Sequence, residues 1–443
     1  MRFQRRILGI ATLSMMVGVP ALTTGCAAEG GDDDVAASEG AVNAADPARL
    51  LSASFDQWKQ RFAAQVDAWR LIEPRLEAGR LPVPNDRDGS LGIDYVYLPA
   101  KSRPTNLVVM SSGIHGVEAP AGVVFQDVLL GECASANAID RDETAILVLH
   151  VLNPYGAKHG RRFNGNNVDL NRNFFDAPSN QGAAFAGNRI VNQEYRDVRH
   201  LLEGGRISIV DILASWLRHG SAKMTKALSG QYEFADGIYF GGKEVQREAV
   251  ALQELLVRLV EPAKNVAVLD VHTGLGKEGI NQIMTNPVGG AASAEVKAAY
   301  EREKAMLATM FPADDCHGLC EVQLGAEPDT SREEAGAAHT FLTTGDYTQW
   351  FHERFAEKRK AGTLVSVTSE IGTTSARAVL EGLVDENYCF HDREAPACGE
   401  AQYQKDVKRL RTLFNSDDAK WRAQVVRAAR QMCTAVGRFS RAR

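Results

Sequence analysis

Two histidines and a glutamate stand where they could bind one metal ion together. His115 and Glu118 are separated by two residues, and His272 follows far downstream. Two imidazoles and a carboxylate form a three-ligand set found at catalytic zinc sites, where the fourth position is left to water. Zinc lowers the pKa of that water to about 7, so such a site can supply a nucleophile at neutral pH. The sequence therefore predicts one catalytic Zn²⁺ per chain, bound by these residues.

Apolar runs that are typical of buried strands lead to three polar residues. In an open α/β sheet, binding and catalytic groups lie at the carboxyl ends of the strands. We therefore expect the three polar residues to meet at one edge of a sheet. The runs are Leu107–Met110 before His115, Val266–Val271 before His272, and Leu364–Ser369 before Glu370.

Strands that alternate with helical segments predict an α/β fold, a mostly parallel mixed sheet with helices on both faces. The predicted strands are Tyr95–Leu98, Asn106–Met110, Ala145–Leu152, Asn265–Val271 and Thr363–Ser369. The predicted helical segments are Ser52–Leu81, Ala121–Leu130, Ala183–Leu228, Glu244–Val260, Ala291–Met310 and Gln402–Phe439.

The N-terminal segment has the pattern of an export signal. Residues 1–25 combine basic residues with an apolar stretch that is too short for a confident membrane span. The stretch ends at Gly25-Cys26, which resembles a lipoprotein signal in which Cys26 becomes lipidated. The composition of residues 26–46 predicts a disordered acidic tether. Residues 47–443 are predicted to form a single catalytic domain. We expect an exported protein that is anchored to the bacterial cell envelope by lipid, with the outer membrane weakly favoured, or else is periplasmic or secreted.

Composition limits the partners and the redox environment. Removing the three basic residues of the leader and the six acidic residues of the tether changes the formal net charge from −6 to −3. A nearly neutral domain does not indicate nucleic-acid binding.

Besides Cys26 there are six cysteines, an even number that favours disulfides in an exported protein. Cys316–Cys320 and Cys389–Cys398 are the local pairs, although spacing alone leaves the connectivity open.

Five segments, taken in order, resemble the zinc carboxypeptidases, the carboxypeptidase A-like metallopeptidases. The closest likeness is to a bacterial branch of that family that carries His-Gly-Val-Glu. The resemblance extends from about Tyr95 to Thr373 and implies a zinc carboxypeptidase-like fold. The segments are Ser112–Glu118, Arg161-Arg162, Asn167–Phe174, Leu269–Gly274 and Glu370–Thr373.

The resemblance implies a role for each matching residue. His115, Glu118 and His272 would bind zinc, and Glu370 would be the general base. Arg162 would polarise the scissile carbonyl and hold the oxyanion. Asn171 and Arg172 would grip the substrate's terminal carboxylate. Tyr347 would be a mobile tyrosine that closes over the substrate, an assignment that depends on its position 23 residues before Glu370.

Amide hydrolysis by a zinc-bound water requires the same residue types, independently of the resemblance. A carboxylate beside the water can take its proton and pass it to the leaving nitrogen. A planar guanidinium binds a carboxylate in a bidentate manner that lysine cannot match. Asp270, two residues before His272, could orient a ligand imidazole. Asp169 is more typical of a residue that fixes its own loop.

The resemblance implies a zinc-dependent metallocarboxypeptidase that hydrolyses a C-terminal peptide bond with zinc-activated water. Because Gly116 follows His115, as in aspartoacylase-like enzymes, an N-acyl-amino-acid deacylase is the alternative. Either substrate, a peptide or an N-acyl amino acid, would carry a free carboxylate. A non-catalytic surface-binding lipoprotein is a third hypothesis, disfavoured because no expected catalytic residue is missing. We expect the specificity pocket within 288–344 and a lid or rim within 176–246.

Overall fold

A mixed sheet of eight strands forms the centre of the part of the chain that the structure describes. Its order is β1-β2-β4-β3-β5-β8-β6-β7. The four central strands are parallel to one another, while β2 and β6 join them in antiparallel pairs. The strands are β1 (Glu77–Pro82), β2 (Gly92–Leu98), β3 (Asn106–Ser112), β4 (Thr144–Leu149), β5 (Asn265–Gly274), β6 (Asn281–Thr285), β7 (Cys320–Gln323) and β8 (Leu364–Gly372).

This computed structural model describes residues 46–83, 90–135, 138–176, 185–203, 220, 223–286, 293–316, 318–325, 343–356 and 362–442. They belong to a compact unit that extends from Ala45 to Arg443. The export signal and the tether, apart from Asp46, lie outside the described residues. Their roles remain predictions. None of the described helices is long and apolar enough to cross a membrane.

Helices cover both faces of the sheet, as the sequence predicted. Because successive side chains of a strand point to opposite faces, Val108 and Met110 belong to one apolar cluster and Leu107 and Val109 to another. The first cluster includes residues of α1 (Phe55–Ile72), α2 (Ala119–Val128), α6 (Ala294–Met310) and α10 (Ala419–Arg441), and the second includes residues of α5 (Arg247–Val260) and α7 (Tyr347–Ala356). The other helices are α3 (Pro154–His159), α4 (Gln193–Leu202), α8 (Ala376–His391) and α9 (Glu400–Phe414).

The α/β class and the mostly parallel mixed sheet are confirmed, but several boundaries differ from the predictions. The first helix ends at Ile72, and the short strand β1 follows within the range predicted to be helical. The C-terminal helical region is two helices, because Asp418 caps the start of α10 by accepting a hydrogen bond from the Trp421 backbone. Strands β6 and β7 were not predicted, since both are short and neither has a clear apolar alternation.

The six cysteines of the described residues form three disulfides. The predicted local pairs Cys316–Cys320 and Cys389–Cys398 are confirmed. The third disulfide joins Cys133 to Cys433, which lies 300 positions further along the chain. Cys133 ends a helical turn that directly follows α2, and Cys433 lies in α10. In the chain-entropy account, a cross-link stabilises more when it closes a longer loop of the unfolded chain.

We predict that the long-range disulfide contributes more to stability than the shortest one. By loop length, the double substitution of Cys133 and Cys433 by alanine should lower the free energy of unfolding by about 6 kcal/mol. The same change at Cys316 and Cys320 should cost about 2 kcal/mol. Urea unfolding of both oxidised double variants measures the difference. Equal losses would contradict the loop-length explanation.

Candidate metal centre and active site

Three donor residues meet at the carboxyl edge of the parallel strands. His115 and Glu118 lie in the turn that follows β3, and His272 lies near the end of the neighbouring strand β5. One ligand atom from each of these residues lies within 4.8 Å of the others, and all three residues are buried. The structure therefore brings the predicted metal ligands together.

The ligand turn has its shape because two backbone segments approach closely. A Cβ on Gly116 would lie 2.1 Å from the backbone carbon of Gly156, which is closer than any real side chain allows. Gly116 therefore permits the segment of α3 to pack directly against the turn. Gly113, with φ of 65°, reverses the chain after β3 in a conformation that glycine adopts without cost.

The donor atoms face a common point. Nδ1 of His115 lies 2.9 Å from Oε1 of Glu118, but no hydrogen bond joins them and this nitrogen is buried without a partner. Nδ1 of His272 lies 3.1 Å from the other oxygen, Oε2. A buried polar nitrogen without a partner is costly, and a metal ion between these atoms would satisfy it. The donor set fits zinc, which is bound by imidazole nitrogens and carboxylates.

Carboxylates orient both imidazoles from the side opposite the common point. Oδ2 of Asp270 lies 2.7 Å from Nε2 of His272, and its Oδ1 accepts a hydrogen bond from the Ser111 hydroxyl. Oδ1 of Asp169 lies 3.2 Å from Nε2 of His115. A carboxylate that accepts the proton on one ring nitrogen leaves the other nitrogen free to bind a metal. Asp270 therefore has the geometry predicted for it, whereas the contact between Asp169 and His115 was not foreseen.

Arg162 contacts the same group of residues. Its Nε donates to Asp169 Oδ2 at 3.0 Å, its Nη1 donates to Glu118 Oε1 at 3.2 Å, and its Nη2 lies 2.7 Å from His115 Nε2. If Nδ1 binds a metal, Nε2 carries the proton and donates it to Asp169. Nη2 of Arg162 then lacks that acceptor and is available to another oxygen.

Negative charge exceeds positive charge around the donors. Glu118, Asp169 and Asp270 contact the imidazoles, and among the described residues Arg162 is the one guanidinium in contact with this group. With neutral imidazoles two negative charges are unbalanced. A divalent cation would balance them. Burial raises the pKa of Glu118, but the two histidines outweigh this and hold it well below its usual range.

Glu370 lies beside the donors because of strand register. It is paired with His272 across the parallel strands β5 and β8. Its Oε1 accepts a hydrogen bond from the Leu275 backbone at 2.8 Å. Burial, followed by repulsion from Glu118, raises the pKa of Glu370 to about 7. A carboxylate with this pKa can take up and release a proton near neutral pH.

The Asn171-Arg172 turn is buried next to this group, but its two side chains differ in availability. The amide of Asn171 is engaged within the fold, because it donates to Asp346 at 2.9 Å and accepts from the Tyr347 backbone at 2.9 Å. Arg172 is 4 % exposed, and its Nε has no hydrogen-bond partner. Of the predicted pair, Arg172 therefore remains free to bind an anion.

Tyr347 lies in the apolar core. It is 0 % exposed, stands at the first position of α7 and packs against Phe174 with ring centroids 4.9 Å apart. A side chain held in this way is not placed to close over a substrate from solvent. The chain spacing that suggested this role did not reveal burial, so substrate contact by Tyr347 remains a prediction without support from its surroundings.

Tyr239 was missed by the sequence analysis. Its ring centroid lies 5.4 Å from the guanidinium carbon of Arg162 and 5.8 Å from that of Arg172. Its φ of 56° is in the left-handed region, which a bulky residue rarely adopts and which is often found at functional sites. No motif marks this position, because backbone conformation and proximity to distant arginines are not visible in the sequence.

The segment 230–242, termed here the arginine loop, carries Tyr239 and encloses Arg172. Gln231 closes the loop, since its backbone N–H donates to the Tyr239 carbonyl at 3.0 Å and its carbonyl accepts from Gly241 at 2.7 Å. The Tyr232 hydroxyl donates to the Arg172 carbonyl at 2.7 Å. This part of the predicted 176–246 rim therefore lies against the site, while 177–184, 204–219 and 221–222 are outside the described residues. Within the predicted specificity segment 288–344, residues 288–292, 317 and 326–342 are outside the described residues, while α6 and β7 belong to the described part.

Comparison with known protein families assigns the chain to one of them. Residues 51–428 match a family model described as "Protein of unknown function (DUF2817)". The chain belongs to this DUF2817 family. No curated protein sequence matches it.

Solved structures with a similar fold include three at low sequence identity. Bovine thrombin-activatable fibrinolysis inhibitor, in complex with tick carboxypeptidase inhibitor, is 12 % identical over 87 % of this chain and 97 % of its own, with a TM-score of 0.43. A metallo-carboxypeptidase from Burkholderia cenocepacia is 10 % identical over 80 % of this chain and 67 % of its own, with a TM-score of 0.40. Carboxypeptidase A from Helicoverpa armigera is 13 % identical over 80 % of this chain and 72 % of its own, with a TM-score of 0.40.

We predict that this DUF2817 protein binds about one zinc ion per chain at these donors. His115→Ala or His272→Ala should abolish the binding, because each removes one of three ligands. Asp270→Asn should weaken it about 10-fold by releasing the orientation of an imidazole. Elemental analysis and chelator competition measure both effects.

The matched control is His352→Ala, which removes an imidazole that faces Glu303 outside the donor cluster. This variant should bind zinc as the unmodified protein does. Zinc retained by His115→Ala and His272→Ala together would contradict the assignment of the site.

Proposed function

We propose that this protein is a metal-dependent hydrolase and, more specifically, a zinc metallocarboxypeptidase that removes the C-terminal residue of a peptide. The observation that supports this most is the convergence of His115, Glu118 and His272 with Glu370 in register beside them. A metal-ligand set next to a buried carboxylate provides the groups that amide hydrolysis needs.

Glu370 would move the proton in this reaction. When bound, zinc supplies Lewis acidity and lowers the pKa of a water molecule. The backbone N–H of Leu275 fixes Oε1 of Glu370. The carboxylate can then accept a proton from the attacking water and later donate it to the leaving nitrogen.

Arg162 would hold the oxygen on which negative charge develops. Its Nε is fixed by Asp169, so the guanidinium has one defined orientation. Its Nη atoms point toward the group formed by Glu118 and His115. A preorganised cation at that place stabilises an oxyanion more than a mobile one would.

Arg172 would bind the free carboxylate of the substrate. Its Nη1 is held by the Asn171 carbonyl at 2.9 Å, while its buried Nε has no partner. A carboxylate would complete these bonds through charge-assisted hydrogen bonds. This preference for a terminal carboxylate distinguishes an exopeptidase from an endopeptidase.

An N-acyl-amino-acid deacylase is the second candidate. It needs the same metal ligands, base and carboxylate-binding arginine. The arginine loop lies against both Arg162 and Arg172, which favours a substrate with little bulk at that side. Hydrolysis rates for a panel of peptides with different C-terminal residues and a panel of N-acyl amino acids would separate the two activities.

We further propose that the protein is exported and anchored to the cell envelope through a lipid on Cys26. The proposal rests on the basic residues, apolar stretch and Gly25-Cys26 of the N-terminal sequence. Fractionation of cells that express Cys26→Ser tests it, since unchanged membrane partitioning would exclude the anchor.

Glu370→Gln is predicted to retain zinc and the fold but to reduce kcat by about 100-fold or more, because glutamine cannot accept the proton. Steady-state kinetics on the best substrate of the panel measure the loss. Glu303→Gln, at a buried carboxylate outside the site, is the matched control and should change kcat little. Activity of Glu370→Gln within a few-fold of the unmodified enzyme would place the base elsewhere.

Amidation of the substrate's carboxylate should cost roughly 30- to 1000-fold in kcat/KM, since Arg172 would then lack its charged partner. Arg172→Ala should impair hydrolysis of the free acid strongly and of the amide hardly at all. Arg258→Ala, which breaks an exposed pair with Glu77, serves as the control. Equal hydrolysis of acid and amide by the unmodified enzyme would exclude both candidate activities.

A further inference from the structure

A fully buried ion pair lies beside the candidate active site. Arg161 and Glu386 are each 0 % exposed, and Nε of the arginine is 2.6 Å from Oε1 of the glutamate. Glu386 lies within α8, 225 residues further along the chain. Burial of two charges carries a desolvation penalty that often exceeds their attraction. The ion pair alone is therefore weak evidence for a stabilising role. The other contacts of Arg161 indicate what else the pair does.

The backbone of Arg161 holds the metal-ligand turn. Its carbonyl accepts a hydrogen bond from Val117 at 2.8 Å, and the carbonyl of Arg162 accepts one from Gly116 at 3.2 Å. Gly116 and Val117 are the two residues between His115 and Glu118. The position of the Arg161-Arg162 segment consequently determines where these two donors lie.

The side chain of Arg161 also holds the segment that leads to the Asp169–Arg172 turn. Its Nη2 donates to Asn167 Oδ1 at 3.0 Å and to Asn387 Oδ1 at 3.1 Å. Asn167 has a φ of 60°, so this contact supports a left-handed backbone just before the turn. The guanidinium carbon lies 3.2 Å from the ring centroid of Phe390, which restricts its rotation.

The two asparagines extend the same network to the arginine loop. Asn167 Nδ2 donates to the carbonyls of Ala235 at 3.0 Å and Gly237 at 3.1 Å. Asn387 Nδ2 donates to the carbonyl of Asp236 at 2.7 Å. Arg161 thus contacts the metal-ligand turn through its backbone carbonyl. Its guanidinium, through Asn167 and Asn387, connects the segment before the Asp169–Arg172 turn to the loop that carries Tyr239.

We propose that Arg161 and Glu386 form a positioning pair that sets the metal affinity of the site and aligns Arg162 and Arg172. This inference rests on the metal site of the proposed function. Glu386 fixes the guanidinium, and the guanidinium binds Asn167 and Asn387 directly. These two asparagines hold the arginine loop, while the backbone carbonyl of Arg161 holds the metal-ligand turn. A lysine at 161 would keep the charge but would lack the planar fork that makes these bonds at once.

The zinc dissociation constant of the full chain, measured by chelator competition, tests the pair. Glu386→Gln preserves the shape of the side chain and removes its charge, and it should weaken zinc binding about 10-fold, as loss of outer orienting partners does. Arg161→Lys should weaken it by a similar factor although the charge is retained. Urea unfolding of the metal-free variants provides the stability of each.

Asp127→Asn is the matched control, because it breaks the Arg61–Asp127 pair, in which the two groups are 2.6 Å apart, at a buried carboxylate outside this network. It should lower the free energy of unfolding and leave the zinc affinity within about twofold of the unmodified value. This result is expected for a substitution that affects stability alone. The same behaviour in Glu386→Gln and Arg161→Lys would overturn the proposal.

If Glu386→Gln does not fold, the double variant Arg161→Met/Glu386→Met removes both buried charges, a change that proteins often tolerate. It should fold and bind zinc weakly, and unchanged zinc affinity in it would overturn the proposal. Failure of the unmodified chain to bind zinc would overturn the proposed function and this inference together. Zinc binding that the variants leave unchanged would overturn only the positioning role.

Discussion

The parallel pairing of β3, β5 and β8 is the constraint on which the candidate site depends. Residues 115, 272 and 370 are far apart in the sequence, yet each is at or just beyond the carboxyl end of one of three adjacent strands. Register then brings His272 directly beside Glu370. A slip of one residue in β8 would turn Glu370 to the other face of the sheet. The apolar clusters on both faces therefore fix the geometry of the polar centre.

The polar centre holds its shape through bonds made outside the donor atoms. Asp169 and Asp270 orient the two imidazoles, and Arg162 spans Asp169 and Glu118. These buried charges are compatible with the fold because each finds an opposite charge or a hydrogen-bond partner. Nδ1 of His115 has no hydrogen-bond partner, and a bound metal ion would satisfy it.

The two arginines of the candidate site are held in different ways. Arg162 is bound to carboxylates of the candidate metal centre, while Arg172 is enclosed by the arginine loop and donates to the backbone carbonyl of Asn171. Both lie within 6 Å of the Tyr239 ring centroid. In the proposed function, Arg162 would act at the reacting centre and Arg172 would bind the terminal carboxylate of the substrate.

The sequence by itself determined the α/β class and the buried strands, and it singled out the candidate metal donors and Glu370, because strand ends and short motifs are local patterns. It also suggested the two short-range disulfides. Only the tertiary structure decided that Asn171 is engaged within the fold, that Tyr347 is buried and that Tyr239 lies between the arginines. Likewise, only the fold pairs Arg161 with Glu386 and Cys133 with Cys433. These features depend on which distant segments pack together, and residue type or spacing along the chain carries no record of such contacts.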